Sequence, residues 1–128
     1  MAGVDEFHAD NLSHLRGRDA IAAYLYVVRT AQGLGRYRCL LSMKGNVRAV
    51  RYYCGDQQRF GFIVNKNDLL FYFRNLAVIP FPLEDLKQYF PNVHTPRKDE
   101  ITVRIKNLQD AQQLMFRIFG FSDAQGTS

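Results

Sequence analysis

Between Arg36 and Arg74 the chain falls into four strand-like runs separated only by short turn signals, and this constrains the fold more than any other feature. Tyr37, Cys39, Leu41 and Met43 alternate with Arg36, Arg38, Ser42 and Lys44, the two-residue period of a half-buried strand. Lys44-Gly45-Asn46 supplies residues that tolerate the positive φ of a hairpin turn. Strands are predicted over 36–44, 47–54, 60–64 and 69–74, with Gly55-Asp56 and Asn65-Lys66-Asn67-Asp68 as the next turns. Consecutive strands joined this tightly pair antiparallel, as a meander.

Helical periodicity flanks the meander. Ile21, Leu25 and Val28 recur at three- and four-residue spacing, so a helix is expected near 19–32, with Asp19 at its start and Gly33 at its end. A short helix begins at Pro82 with Leu83, Leu86 and Phe90 on one side, and Pro91 ends it. Asn92 to Asp99 reads as a loop. Ile101, Val103 and Ile105 alternate in a fifth strand over 101–106. Asn107 then caps a last helix over 108–119, in which Leu108, Ala111, Leu114, Met115, Ile118 and Phe119 form one stripe and Gly120 closes the end. The order α-β-β-β-β-α-β-α defines an α+β fold, an antiparallel sheet of about five strands with helices on one face. At 128 residues this is one domain, with 1–12 and 121–128 as frayed tails.

The charge is unevenly placed. The chain carries 17 lysines and arginines against 12 aspartates and glutamates, a net +5, yet nine of the cations and only Asp56 and Asp68 lie between Arg29 and Arg74. A positive stretch on strands points to an acidic partner: nucleic acid, either DNA or RNA, or an acidic protein surface. Solvated surface charge accounts for the same excess without any partner. Cys39 and Cys54 stand alone, without the density of a secreted disulfide scaffold. Asp5, Glu6, His8 and Asp10 occupy the place where a signal peptide needs an apolar core, and no apolar run approaches a membrane span. A cytoplasmic protein with no membrane partner is expected.

The segment from Phe60 onward resembles a small uncharacterised domain family that occurs alone or beside restriction-type nuclease modules. The matching parts are Phe60-Gly61-Phe62-Ile63-Val64, Asn65-Lys66-Asn67, Leu69-Leu70-Phe71-Tyr72-Phe73, Leu83-Glu84-Asp85, Ile101-Thr102-Val103-Arg104-Ile105 and Leu108-Gln109-Asp110. The resemblance implies a setting in nucleic-acid defence and no particular active site. Gln58 to Asn65 also echoes the RNA-recognition octamer, although Arg59 replaces a glycine and Asn65 an aromatic. The spacing of Phe60 and Phe62 fits a core face better.

Catalytic signals are sparse. His8, His14 and His94 have neither metal-ligand spacing nor a partner placed by sequence, and read as surface histidines. Asp68, Glu84, Asp85 and Lys87 are the nearest approach to a nuclease carboxylate cluster, and a metal-free ribonuclease toxin built on Arg, Lys and Tyr is a further alternative. The expectation that follows is a nucleic-acid-binding module working without cofactor or metal. In it, Arg36, Arg38, Arg48, Arg59 and Arg74 hold phosphates, and Tyr52 and Tyr72, which share parity with Arg48 and Arg74, stack bases. Arg51 has the opposite parity from Arg48, so the two cannot share a face without a bulge.

Overall fold

A computed structural model describes residues 2–35, 37–45, 47–74, 83–97 and 100–119. It contains α1 (Ala2–His14), α2 (Arg18–Leu34), β1 (Arg38–Lys44), β2 (Val47–Cys54), β3 (Gln57–Val64), β4 (Leu69–Arg74), α3 (Leu83–Tyr89), β5 (His94–Arg97), β6 (Glu100–Ile105) and α4 (Leu108–Phe119). The six strands form one antiparallel sheet in the order β1-β2-β3-β4-β6-β5. The fold is α+β, with the meander in place and two elements beyond those expected, α1 and β5.

One face of the sheet carries the core. Register places Val50, Phe62, Phe71 and Val103 in one row, and Tyr52, Phe60, Phe73 and Ile101 in the next. These rings overlap from strand to strand, with Tyr52 stacked on Phe60 at 4.7 Å between centroids and Phe62 against Phe71 at 5.0 Å. Leu15, the buried face of α2, Leu86 and Phe90 around α3, and Ala111, Leu114 and Met115 of α4 join the same cluster. The helices therefore sit together on one side, which leaves the other face of the sheet to its own side chains.

Helix α2 turns a different stripe inward from the one the aliphatics suggest. Ala20, Ala23, Tyr24, Val27, Thr30 and Ala31 are buried, while Ile21, Leu25 and Val28 are half-buried. Alanines on the inner face let α2 pack closely against α4, and Tyr24 reaches on to meet Phe62 edge to face. The helix is bounded by Gly17, which makes no side-chain cap, and by Gly35 in the left-handed conformation, rather than by Asp19 and Gly33. In α4 the expected cap is present: Asp110 N–H donates to Asn107 Oδ1 at 2.8 Å, and Asp110 Oδ2 accepts from the Lys106 N–H.

Helix α1 occupies residues that read as a frayed lead-in. It docks through polar contacts: Asn11 Nδ2 donates to Tyr24 Oη at 2.9 Å, and that hydroxyl shares a hydrogen bond with His8 Nδ1 at 2.5 Å. His8 is thus bound to the core rather than a free surface residue. Strand β5 lies in the segment expected to be a loop, with His94 opposite Thr102 and Arg97 opposite Glu100. Pro82, Gly120 and the tail 121–128 lie outside the described residues.

Candidate nucleic-acid interface

The two-residue period of β2 decides which cations are available. Val50 and Tyr52 point into the core, so Arg48, two residues before Val50, takes the helix-covered side, and Arg51 and Tyr53 take the other. Arg48 ends at Asp10 of α1, its Nη1 bonded to Asp10 Oδ2. It is a tie between α1 and the sheet, not an outward-facing phosphate contact. Tyr52 is 3% exposed within the aromatic stack and cannot reach a base. Its enclosed hydroxyl has no nitrogen or oxygen partner among the described residues and lies beside the Cys39 thiol. Burial raises the ionisation of Tyr52 far above the ordinary phenol value, and pushes the Cys39 thiol up as well.

On the uncovered face, Arg38 stands opposite Tyr53, Leu40 opposite Arg51, and Lys44 opposite Val47. The Arg38 guanidinium lies over the Tyr53 ring at 5.6 Å, a cation–π arrangement that presents a planar cation and an aromatic together. Arg38 and Lys44 are exposed and Arg51 is half-buried, and none of the three has a carboxylate partner among the described residues. Cross-strand diagonal neighbours such as Arg38 and Arg51 stand ~7–8 Å apart at Cα, near enough for like charges to repel when no anion intervenes.

Arg59 is the extra residue of a β-bulge, since Tyr52 pairs with Phe60 and Tyr53 with Gln58. It is half-buried, and its Nη1 is enclosed without a partner among the described residues. Tyr72 has the expected parity but is 7% exposed, laid against Gly61 on the neighbouring strand, and so is not open to stacking. Arg36 lies outside the described residues, and Arg74 is described only as the backbone partner of Glu100.

The β4–β6 half of the same face is electrically quiet by comparison. Arg104 Nη1 forks onto both oxygens of Asp68, at 2.9 and 3.1 Å, and Asn65 Nδ2 adds a third bond to that carboxylate. The other acids of the nuclease-like set are also engaged: Asp85 with Arg117 at 2.5 Å, and Glu84 with Lys87 at 3.8 Å. Among the described residues no group of three His, Cys, Asp or Glu side chains is placed to hold a metal ion, and no helix is long and apolar enough to cross a membrane. Arg38, Lys44 and Arg51 of β1 and β2 keep unpaired charge among the described residues, as do exposed Arg16, Arg18, Arg29, Lys66 and Lys106 elsewhere on the chain.

Comparison with protein-family models, with curated proteins and with solved structures finds no match to this chain.

Proposed function

We propose that this chain is a nucleic-acid-binding module that needs no cofactor and uses the β1–β2 half of its uncovered sheet face. One observation carries the reading. Arg38, Lys44 and Arg51 project from that half with no carboxylate partner among the described residues, while Arg48, Arg104 and Arg117 are each ion-paired. Cations held on a rigid sheet without counter-charges gain most from a ligand that brings its own row of negative charge. Tyr53, backed by Arg38, supplies a ring on which a base of a single strand can stack.

The competing reading is an acidic protein segment added to the edge of the sheet. It is favoured by β1, an edge strand with Leu40 and Met43 exposed beside Arg38 and Lys44. Titration of the protein with single-stranded DNA, single-stranded RNA and duplex, each over a range of salt, separates the two. The nucleic-acid reading requires binding above the weak non-specific level and its loss in Arg38→Ala/Lys44→Ala/Arg51→Ala. Equal binding to all three at the weak non-specific level, unchanged in the variant, leaves the acidic-segment reading in its place.

A further inference from the structure

The β-bulge in β3 sets two side chains against one ring. Tyr52 pairs with Phe60 and Tyr53 with Gln58, so Gln58 and Arg59 both oppose Tyr53. Phe60 turns into the core, which sends Arg59, one residue before it, to the uncovered face with Tyr53. On the other side of Tyr53, β1 supplies Arg38, whose guanidinium lies over the ring at 5.6 Å. A single aromatic therefore stands between an exposed cation on β1 and a half-buried one on β3.

The two cations stand in different surroundings. Arg38 is open to water, where a guanidinium gains modestly from any one anion. Arg59 keeps its Nη1 enclosed, with neither an acceptor nor a carboxylate partner among the described residues. A charged donor held away from water without a bond costs free energy, and a flexible side chain recovers that cost by swinging onto an acceptor that a ligand brings. Side chains opposed across two strands start about 5 Å apart at Cβ, so the Arg59 fork is within reach of the edge of a base laid on Tyr53. Phosphates lie outside such a stack, where the exposed Arg38 and Lys44 meet them.

Resting on the reading of this face as a single-strand surface, we infer that Arg59 is its specificity residue and selects guanine as the base stacked on Tyr53. The parallel N–H groups of an arginine match two adjacent acceptors, and guanine presents such a pair in O6 and N7. Adenine puts a donor in place of one of them. Cytosine has two neighbouring acceptors on its pairing edge, but its single ring covers less of a tyrosine than a purine does. Stacking a splayed base and bonding its edge is the general way in which single strands are read. The bulge is what allows it here, because it brings a second side chain of β3 to the one exposed flank of the ring.

The test titrates the full chain, by fluorescence anisotropy over a range of salt, with short thymine-rich strands that differ only in a central guanine, adenine, cytosine or thymine. The guanine strand is expected to bind about tenfold tighter than the others, as one bidentate base contact provides, with the ratio unchanged as salt rises. In the wild-type protein, 7-deazaguanine, which lacks the N7 acceptor, should abolish the preference, and hypoxanthine, which keeps O6 and N7, should preserve it. Arg59→Lys keeps the charge without the fork and is expected to bind all four strands alike. Lys44→Ala/Arg51→Ala should weaken all four by one factor and keep the preference. Equal binding of the four strands, a preference for another base, or a preference that survives 7-deazaguanine overturns the assignment and leaves the face as a strand-binding surface. So does an Arg59→Ala protein that weakens all four equally with a flatter salt slope, the mark of a phosphate contact. Binding of every strand at the weak non-specific level alone overturns the assignment and the reading it rests on together.

Discussion

Tyr72 lies against Gly61, its cross-strand neighbour, so closely that a methyl group at position 61 would stand 2.9 Å from Tyr72 Oη and 2.8 Å from the Val50 carbonyl oxygen. A glycine within a central strand weakens it unless something fills the space, and here the tyrosine ring does so. This contact is how Tyr72 becomes buried on a face that no described helix covers. Gly61→Ala forces either the ring or the backbone of β2 to move. The tyrosine tip can yield, the Val50 carbonyl cannot do so cheaply, and a destabilisation of about 1–3 kcal/mol is expected. Urea unfolding measures it, and a midpoint equal to wild type would contradict the contact.

The meander is legible in the sequence because its strands carry their own period and their turns carry Gly45 and Gly55, both at positive φ. Helix α1 is not, because the residues that dock it are His8, Asp10 and Asn11, whose partners Tyr24 and Arg48 are distant in sequence. No apolar stripe announces such a helix. Strand β5 reads as a loop for a similar reason: it is four residues long, contains Pro96, and exists through its pairing with β6. The site is half legible. Sequence parity shows that Arg48 and Arg51 oppose one another. The apolar Val50, in phase with Arg48, is the signal that assigns Arg51 and Tyr53 to the uncovered face. The bulge at Arg59 and the ion pair with Asp10 depend on tertiary register, which no local pattern reports.

Tyr24 couples α1 to the core, and its ionisation should be visible in alkaline stability. Burial pushes its hydroxyl up to about 12, against an ordinary 10. The neutral phenol is the folded form, so its contribution is complete below pH 10 and is lost as pH rises from about 10 to about 12. Two pH units correspond to about 3 kcal/mol at most, with Cys39 and Tyr52 adding loss in the same direction. Tyr24→Phe should flatten that alkaline slope while costing about 1–3 kcal/mol at neutral pH, because the buried Asn11 amide loses its acceptor. Urea midpoints from about pH 7 to about 11.5 test both parts, and an unaltered slope in the variant refutes the assignment.

Leu114 of α4 is fully buried against the sheet and helix cluster. Leu114→Asp places a carboxylate there without a partner, at a cost of several kcal/mol for an uncompensated buried charge. The expected outcome is loss of cooperative thermal unfolding and of the sheet signal in circular dichroism. Phe116→Asp, two residues on and exposed, is the matched control and should remain folded. If Leu114→Asp melts like wild type, α4 does not pack as described.

Ion pairing separates Arg38, Lys44 and Arg51 from Arg48 and Arg104, and the two sets have different expected salt behaviour. Arg38, Lys44 and Arg51 have no carboxylate partner among the described residues. Alanine at any one of them should therefore remove a phosphate contact and flatten the slope of log affinity against log salt by about 0.7–0.9. The effect should be nearly the same for every sequence tested, because phosphate contacts position a strand without reading it. Arg48→Ala should leave that slope almost unaltered, since Arg48 already faces Asp10 on the helix-covered side. Its cost belongs to stability, at about 0–1 kcal/mol for a pair this exposed at the carboxylate. Arg104→Ala, which releases Asp68, should weaken binding mildly by adding an unpaired negative charge to the face. Tyr53→Ala is distinct from all of these. It should cost about 1–3 kcal/mol on single strands with little change in salt slope, because stacking releases no counterions. A triple Arg38→Ala/Lys44→Ala/Arg51→Ala protein that keeps the wild-type slope removes the sheet face as the binding surface. A flattened slope in Arg48→Ala alone would instead move the binding surface to the helix-covered side, where Asp10 now stands.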